Sequence, residues 1–169
     1  MSTFDPYQPP KVEVTDKVEP AENQLAGRGQ RLGAALLDGG IGLLFGVPVM
    51  FALGTWDYVK QGKPLPLSLM IVSVAVGFLF FFLVHGYFLK SNGQTIGKMI
   101  IGIRIADLEN NVPSFAKVIG LRYLPLSLCT LVPAVGQFLP LIDALFIFRS
   151  DRRCVHDLIA GTRVIRARR

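Results

Sequence analysis

The sequence predicts an all-α membrane protein with four transmembrane helices, the third and fourth forming a short proline-broken hairpin, and a small cytoplasmic two-stranded sheet. Three observations predict it: an apolar excess, hydrophobic runs of spanning length, and basic residues gathered on one side of those runs. Of the 169 residues, 51% are hydrophobic and the mean hydropathy is +0.45, more than a soluble domain of this size needs for its core. A helix crossing the roughly 30 Å hydrocarbon layer takes about 20 mostly apolar residues, so the excess is expected to face lipid.

Residues 1–24 hold Pro6, Pro9, Pro10 and Pro20 among five acids and two lysines. Their apolar surface is too small to offset the entropy of ordering, so a disordered N-terminal tail is expected, with the membrane domain covering 25–169. A secretory signal would place its apolar core in the first turns of the chain, whereas about 30 polar or mixed residues come first here, and the first helix is expected to be retained. Gln24 to Arg31 are expected to extend that helix as an interfacial turn, with Arg28 and Arg31 at the lipid headgroups.

The first span, over about 32–54, is interrupted only by Asp38, and the second, over about 67–89, only by His85. Thr55 to Pro66 joins them. The apolar stretch Phe115 to Phe148 is too long for one crossing and carries Pro125, Pro133, Gly136 and Pro140. It is expected to form two short spans, 115–132 and 134–148, a re-entrant hairpin being the alternative. A cytoplasmic tail, 149–169, follows.

Orientation comes from the basic residues, which resist translocation. Lys90 to Lys117 contain four and Arg149 to Arg169 seven, against two in Thr55 to Pro66 and none near Pro133. Both termini are therefore expected in the cytoplasm, and the C-terminal tail, which holds most of the net charge of +6, is expected to set its arginines against anionic lipid headgroups. Ile101, Ile103 and Ile105 alternate around Arg104, and Thr162, Val164 and Arg166 around Arg163 and Ile165, as strands do. The two stretches are expected to pair beneath the bundle.

Ionisable side chains inside lipid are costly and face a bundle interior, a partner or a path. Asp38, His85, Arg122 and Asp143 each lie five to seven residues from a basic residue at a helix end, about 7 to 11 Å deep. That places them in one polar layer, with Arg31 below Asp38 on the same helix face. The layer reads either as a structural ion network or as a site where Asp38 or Asp143 exchanges a cation or proton. The spacing of Gly29 with Gly33 and of Gly42 with Gly46 suits close helix approach, within one chain or in a homo-oligomer.

Other chemistries find little footing. Gly93 to Lys98 has one residue too few between its glycines for a phosphate loop. His156-Asp157 has only His85 as a further histidine, so no multi-histidine metal site can be assembled. Cys129 and Cys154 give no disulfide framework. The serines lack a glycine-framed elbow, and the basic segments lack the aromatic interleaving of a nucleic-acid surface. No enzyme activity, catalytic residue, cofactor or nucleic acid is expected.

Three motifs in order, Arg31-Leu-Gly-Ala-Ala-Leu-Leu-Asp38, Gly93-Gln-Thr-Ile-Gly-Lys98 with Gly102-Ile-Arg-Ile105, and His156-Asp-Leu-Ile-Ala-Gly-Thr-Arg-Val164, resemble the RDD family of bacterial membrane proteins over nearly all of Ala26 to Ala167. The resemblance implies a multi-pass protein of the bacterial inner membrane, with Arg31 and Asp38 as the named arginine and first aspartate, and Asp143 or Asp157 as the second. It marks Gly93, Thr95, Gly97, Lys98, His156, Asp157, Gly161 and Thr162 as motif residues. Transport of ions or other ligands is the activity suggested for the family. The chain is thus expected to move a small cation or solute through the polar layer, with Asp38 and Asp143 as site residues. The alternative is a scaffold or accessory protein acting through a protein partner.

Overall fold

In the computed structural model, which describes residues 25–132 and 136–167, the two long apolar runs form the longest helices. Helix α1 covers Arg28–Ala52 and α3 covers Leu67–Asn92, with a short helix α2, Thr55–Lys60, in the connection. At 25 and 26 residues each is about 38 Å long, enough to cross a bilayer. Their apolar side chains are not a protein core: Leu44 is 82% and Leu83 70% exposed. Water would not tolerate such a surface, and lipid would.

The entry to α1 departs from the expected interfacial turn. Leu25 pairs with Ile165, and the Ala26 N–H donates to the Val164 carbonyl at 3.0 Å. The helix starts only at Arg28, because strand-like pairing already satisfies the backbone before it. Arg31 turns inward and is buried.

Helix α3 ends on Gly93 at φ 66°, a left-handed cap. Helix α4, Ile96–Ile101, then leads into strand β1, Ile103–Asp107. The return segment coils from α5, Phe115–Lys117, through a π-helical stretch, Val118–Tyr123, into α6, Leu124–Cys129. Pro125 lacks the N–H that would bond the Leu121 carbonyl, and the widened turns lie just before it. A 3-10 turn, Gly136–Phe138, helix α7, Leu139–Leu145, and a second 3-10 turn, Phe146–Phe148, bring the chain back.

Neither arm of this hairpin reaches the length of a spanning helix. Among the described residues, α1 and α3 are the helices long and apolar enough to cross a membrane, and the two crossings expected over 115–132 and 134–148 are not among them. Prolines at the first turns of α6 and α7 cut the apolar stretch into pieces. The expected tail disorder over 1–24 and the turn at Pro133 lie outside the described residues.

Helix α8, Val155–Ile159, and strand β2, Thr162–Arg166, complete the fold. The strands pair antiparallel with Ile103 opposite Arg166 and Asp107 opposite Thr162, the sheet that the two alternating stretches predict. The core lies at this end. Ala26, Ala34, Ile103 and Val164 form one buried cluster, and Leu89, Ile105 and Val118 another. The buried residues of α1 are Arg31 and Ala34, and those of α3 are His85, Gly86 and Leu89, all at the sheet end of their helices.

Candidate functional site

Three aspartates, each held by different partners, organise the polar residues at the sheet end. The first is Asp38, half-way along α1. Its Oδ2 accepts from the Thr95 hydroxyl at 2.5 Å and its Oδ1 from the Gly97 N–H at 2.7 Å. Thr95 is the N-cap of α4 and its hydroxyl oxygen accepts from the Lys98 N–H at 3.4 Å, while the Ile96 N–H donates to His85 Nδ1 at 3.2 Å. Three first-turn amides of α4, which no helical carbonyl can reach, are thus satisfied by His85, Asp38 and Thr95. A carboxylate at a helix N-terminus is also favoured by the peptide dipoles. Lys98 Nζ stands 3.8 Å from Asp38 Oδ2.

This approach depends on glycine. A Cβ on Gly97 would lie against the Ala34 carbonyl and 2.8 Å from Asp38 Oδ1, so a larger residue would push α4 off α1. The motif has a second structural duty at its start. Gly93 needs its positive φ, and a Cβ there would lie 2.6 Å from the Ile105 carbonyl. Gln94 Nε2 donates to the Ile103 carbonyl at 2.9 Å, which ties the loop to β1.

The second aspartate, Asp157, lies in α8 and is fully buried. Arg31 Nη2 donates to its Oδ2 and Arg122 Nη1 to its Oδ1. Arg122 Nη1 also reaches the Thr162 hydroxyl at 2.8 Å, and the Cys154 N–H donates to Asp157 Oδ2 at 3.2 Å. Arg31 Nη1 meanwhile donates to the Arg152 carbonyl. One carboxylate therefore joins α1, the π-helical stretch and the C-terminal segment. Burial alone would raise the Asp157 carboxyl, but Arg122 and Arg31 outweigh it and hold it well below the usual carboxylate range. Gly161, at φ 57°, ends the turn between α8 and Thr162.

The third, Asp143 in α7, accepts the His156 N–H at 2.9 Å, and its Oδ2 lies 2.5 Å from His156 Nδ1. Burial lowers the His156 pKa and Arg122 lowers it further, against the opposing pull of the Asp143 hydrogen bond. The ring is therefore neutral near pH 7, with Nδ1 as the donor to Asp143. Its Nε2, unprotonated in that tautomer, lies 3.8 Å from Asp157 Oδ2, so His156 stands between the second and third aspartates and bonds to Asp143.

Donor atoms of Asp143, Cys154 and His156 fall within 4.8 Å of one another, a spacing that a metal ion could use. Their surroundings disfavour a cation. The Asp143 carboxylate and His156 ring bond each other, and Arg31 Nη2 lies 3.5 Å from Cys154 Sγ. Burial, the largest influence, pushes the Cys154 thiol up to about 11 despite Arg31, so it is protonated at neutral pH.

The four residues expected to share one layer are thus divided. Arg122 pairs with Asp157 of the tail motif rather than with Asp38 or Asp143, and His85 caps α4 beside Asp38. Sequence reasoning missed Thr95 and Gly97 as the partners of Asp38. Thr95 carries an N-cap signal, a hydroxyl residue just before an apolar helical run, and Asp157, three residues after Cys154, stands where an acidic side chain reaches back to its N-cap amide.

Two long lipid-compatible helices rising from a polar end locked by arginine and aspartate define a helical membrane protein. The chain belongs to the RDD family, whose model matches residues 25–161. It is similar to an uncharacterized protein of Haemophilus influenzae, 37% identical over 82 residues, covering 47% of this chain and 49% of that protein. It is also similar to the uncharacterized protein YckC of Bacillus subtilis, 34% identical over 136 residues, covering 79% of this chain and 80% of that one. The chain spans about half the length of the Haemophilus relative. No solved structure matches it.

Proposed function

We propose that this protein moves a small cation or solute across the membrane, with Asp38 as the acid that exchanges it. The observation that carries the reading is a cleft of about 410 Å³ between α1 and α3, lined by both Asp38 and His85. Gly42, Gly46 and Gly77 line the same cleft, and space beside each of them is open. Asp38 is held by neutral donors and by a lysine at 3.8 Å, a looser arrangement than the double guanidinium grip on Asp157. An ion or proton can replace that lysine's share of the charge without dismantling the fold.

In this reading both termini face the cytoplasm, α1 and α3 cross the bilayer, and the hairpin from 115 to 148 re-enters from the cytoplasmic side. The seven arginines of the tail then stay inside. A second copy of the chain, packed along the glycine-lined side of α1, would complete the walls of the path. Asp143 and Asp157 serve to anchor the hairpin and tail.

A second reading, a non-transporting scaffold or accessory protein acting through a protein partner, draws support from the partners each sheet-end carboxylate already has: Arg31 and Arg122 on Asp157, Lys98 near Asp38 and the His156 hydrogen bonds on Asp143. Carbodiimide labelling discriminates. Dicyclohexylcarbodiimide adds to a protonated carboxyl in an apolar site. Transport predicts labelling at Asp38, read by peptide mass, that sodium, potassium or calcium ions suppress. Labelling that no cation alters, or an inert Asp38, would favour the scaffold.

A further inference from the structure

A second cleft, of about 480 Å³, separates the start of α1 from α7 and the 3-10 turn after it. We propose that it binds the phosphodiester headgroup of an anionic phospholipid. Its polar lining holds Arg28, Arg31, Lys98 and Arg122 against the single carboxylate of Asp143. Asp143 already accepts two hydrogen bonds from His156. Arg31 and Arg122 share Asp157, and Lys98 has Asp38. Four cations thus face three carboxylates, and the cleft retains about one positive charge, the complement of one phosphodiester.

The remaining walls fit the rest of such a molecule. Leu32, Leu141, Leu145 and Phe148 line the same cleft and are each more than half exposed, a surface suited to acyl chains. Arg28, the exposed cation, donates to the carbonyls of Ile147 and Phe148 at 3.4 and 3.3 Å. It thereby stands where the apolar wall meets the charged floor. Such a boundary, at the first turn of a spanning helix, is the depth of lipid phosphates. A free phosphate would satisfy the charge but leave the apolar wall uncovered, and the lipid is therefore the occupant the cleft favours.

The test uses the full chain purified in a mild neutral detergent. Native mass spectrometry counts bound phosphatidylglycerol or phosphatidylcholine added at equal concentration, and inorganic phosphate is titrated separately. Wild type should retain one phosphatidylglycerol in preference to phosphatidylcholine. Arg28→Gln with Lys98→Gln should reduce that preference about 30-fold, two basic side chains being worth about tenfold or less each near a lipid surface. Removing two charges elsewhere, Arg104→Gln with the exposed Lys60→Gln, should leave it unchanged. Should the first pair fail to fold, Arg28→Gln alone, at an exposed side chain, should still weaken retention several-fold. Equal retention by the cleft and distant variants would overturn the proposal. So would inorganic phosphate binding as tightly as phosphatidylglycerol, which would mark a simple anion site.

Discussion

Arg122 and Asp157, 35 residues apart in the chain, meet as a buried ion pair with side-chain exposures of 3% and 0%. Through Asp157 this contact also fastens Arg31, so it joins the hairpin, the first spanning helix and the C-terminal segment at one carboxylate. Removing one member of such a cluster strands buried charge. Asp157→Ala is expected to cost about 3 to 5 kcal/mol, read as a lowered unfolding temperature in detergent or loss of folded protein. Arg122→Lys should also destabilise, because an ammonium cannot keep the guanidinium's geometry toward both Asp157 and Thr162. Wild-type stability in either variant would refute the clamp.

The same cluster sets an acid limit. Asp157 has a depressed pKa when folded, so below the ordinary carboxylate range, about pH 4, the unfolded chain binds a proton that the folded chain refuses, and stability falls with pH. His156 is also depressed, and its unfolded ring protonates below about pH 6.5. Stability should thus begin to decline below pH 6.5 and decline more steeply below pH 4. Thermal unfolding against pH checks this, and His156→Gln should flatten the upper part of the decline.

Cys154 offers a local probe. With the thiol raised to about 11, its thiolate fraction at pH 8 should be roughly a hundredfold below that of the unfolded chain. In a Cys129→Ser background, maleimide modification of the folded protein should be slower by at least that factor. A rate equal to that of the denatured protein would show that the thiol is neither buried nor raised.

At the Asp38 site, Thr95→Val removes both the cap of α4 and a donor to the carboxylate, and should cost about 1 to 2 kcal/mol. Gly97→Ala forces a methyl against Asp38 and the Ala34 carbonyl, at about 1 to 3 kcal/mol. Unfolding midpoints in detergent measure both. An unchanged Gly97→Ala midpoint would mean that α4 does not pack as closely on α1 as described.

The parts legible in the sequence are those governed by local pattern. Two long apolar runs around Asp38 and His85 mark α1 and α3, and alternation around Arg104 and Val164 marks the paired strands. The hairpin was less legible, because prolines divide the stretch from 115 to 148 into helices too short to classify by hydropathy. The site was half legible: Asp38, His85, Arg122 and Asp143 stand out as ionisable residues in apolar surroundings, but their partners are fixed by packing. Asp157 looks like a residue of a basic tail until α8 folds back over Arg31 and Arg122. Thr95 and Gly97 look like loop residues until α4 presents their hydroxyl and amide to Asp38.

Cation-dependent proton flux in proteoliposomes tests the account most directly, with wild type and Asp38→Asn compared at matched incorporation and with folding of both verified. Asparagine keeps the acceptor for Gly97 but cannot exchange charge. Flux is expected in wild type and is expected to fall, by tenfold or more, in the folded variant. Undiminished flux in Asp38→Asn, or none in folded wild type across sodium, potassium, lithium and calcium, would contradict it.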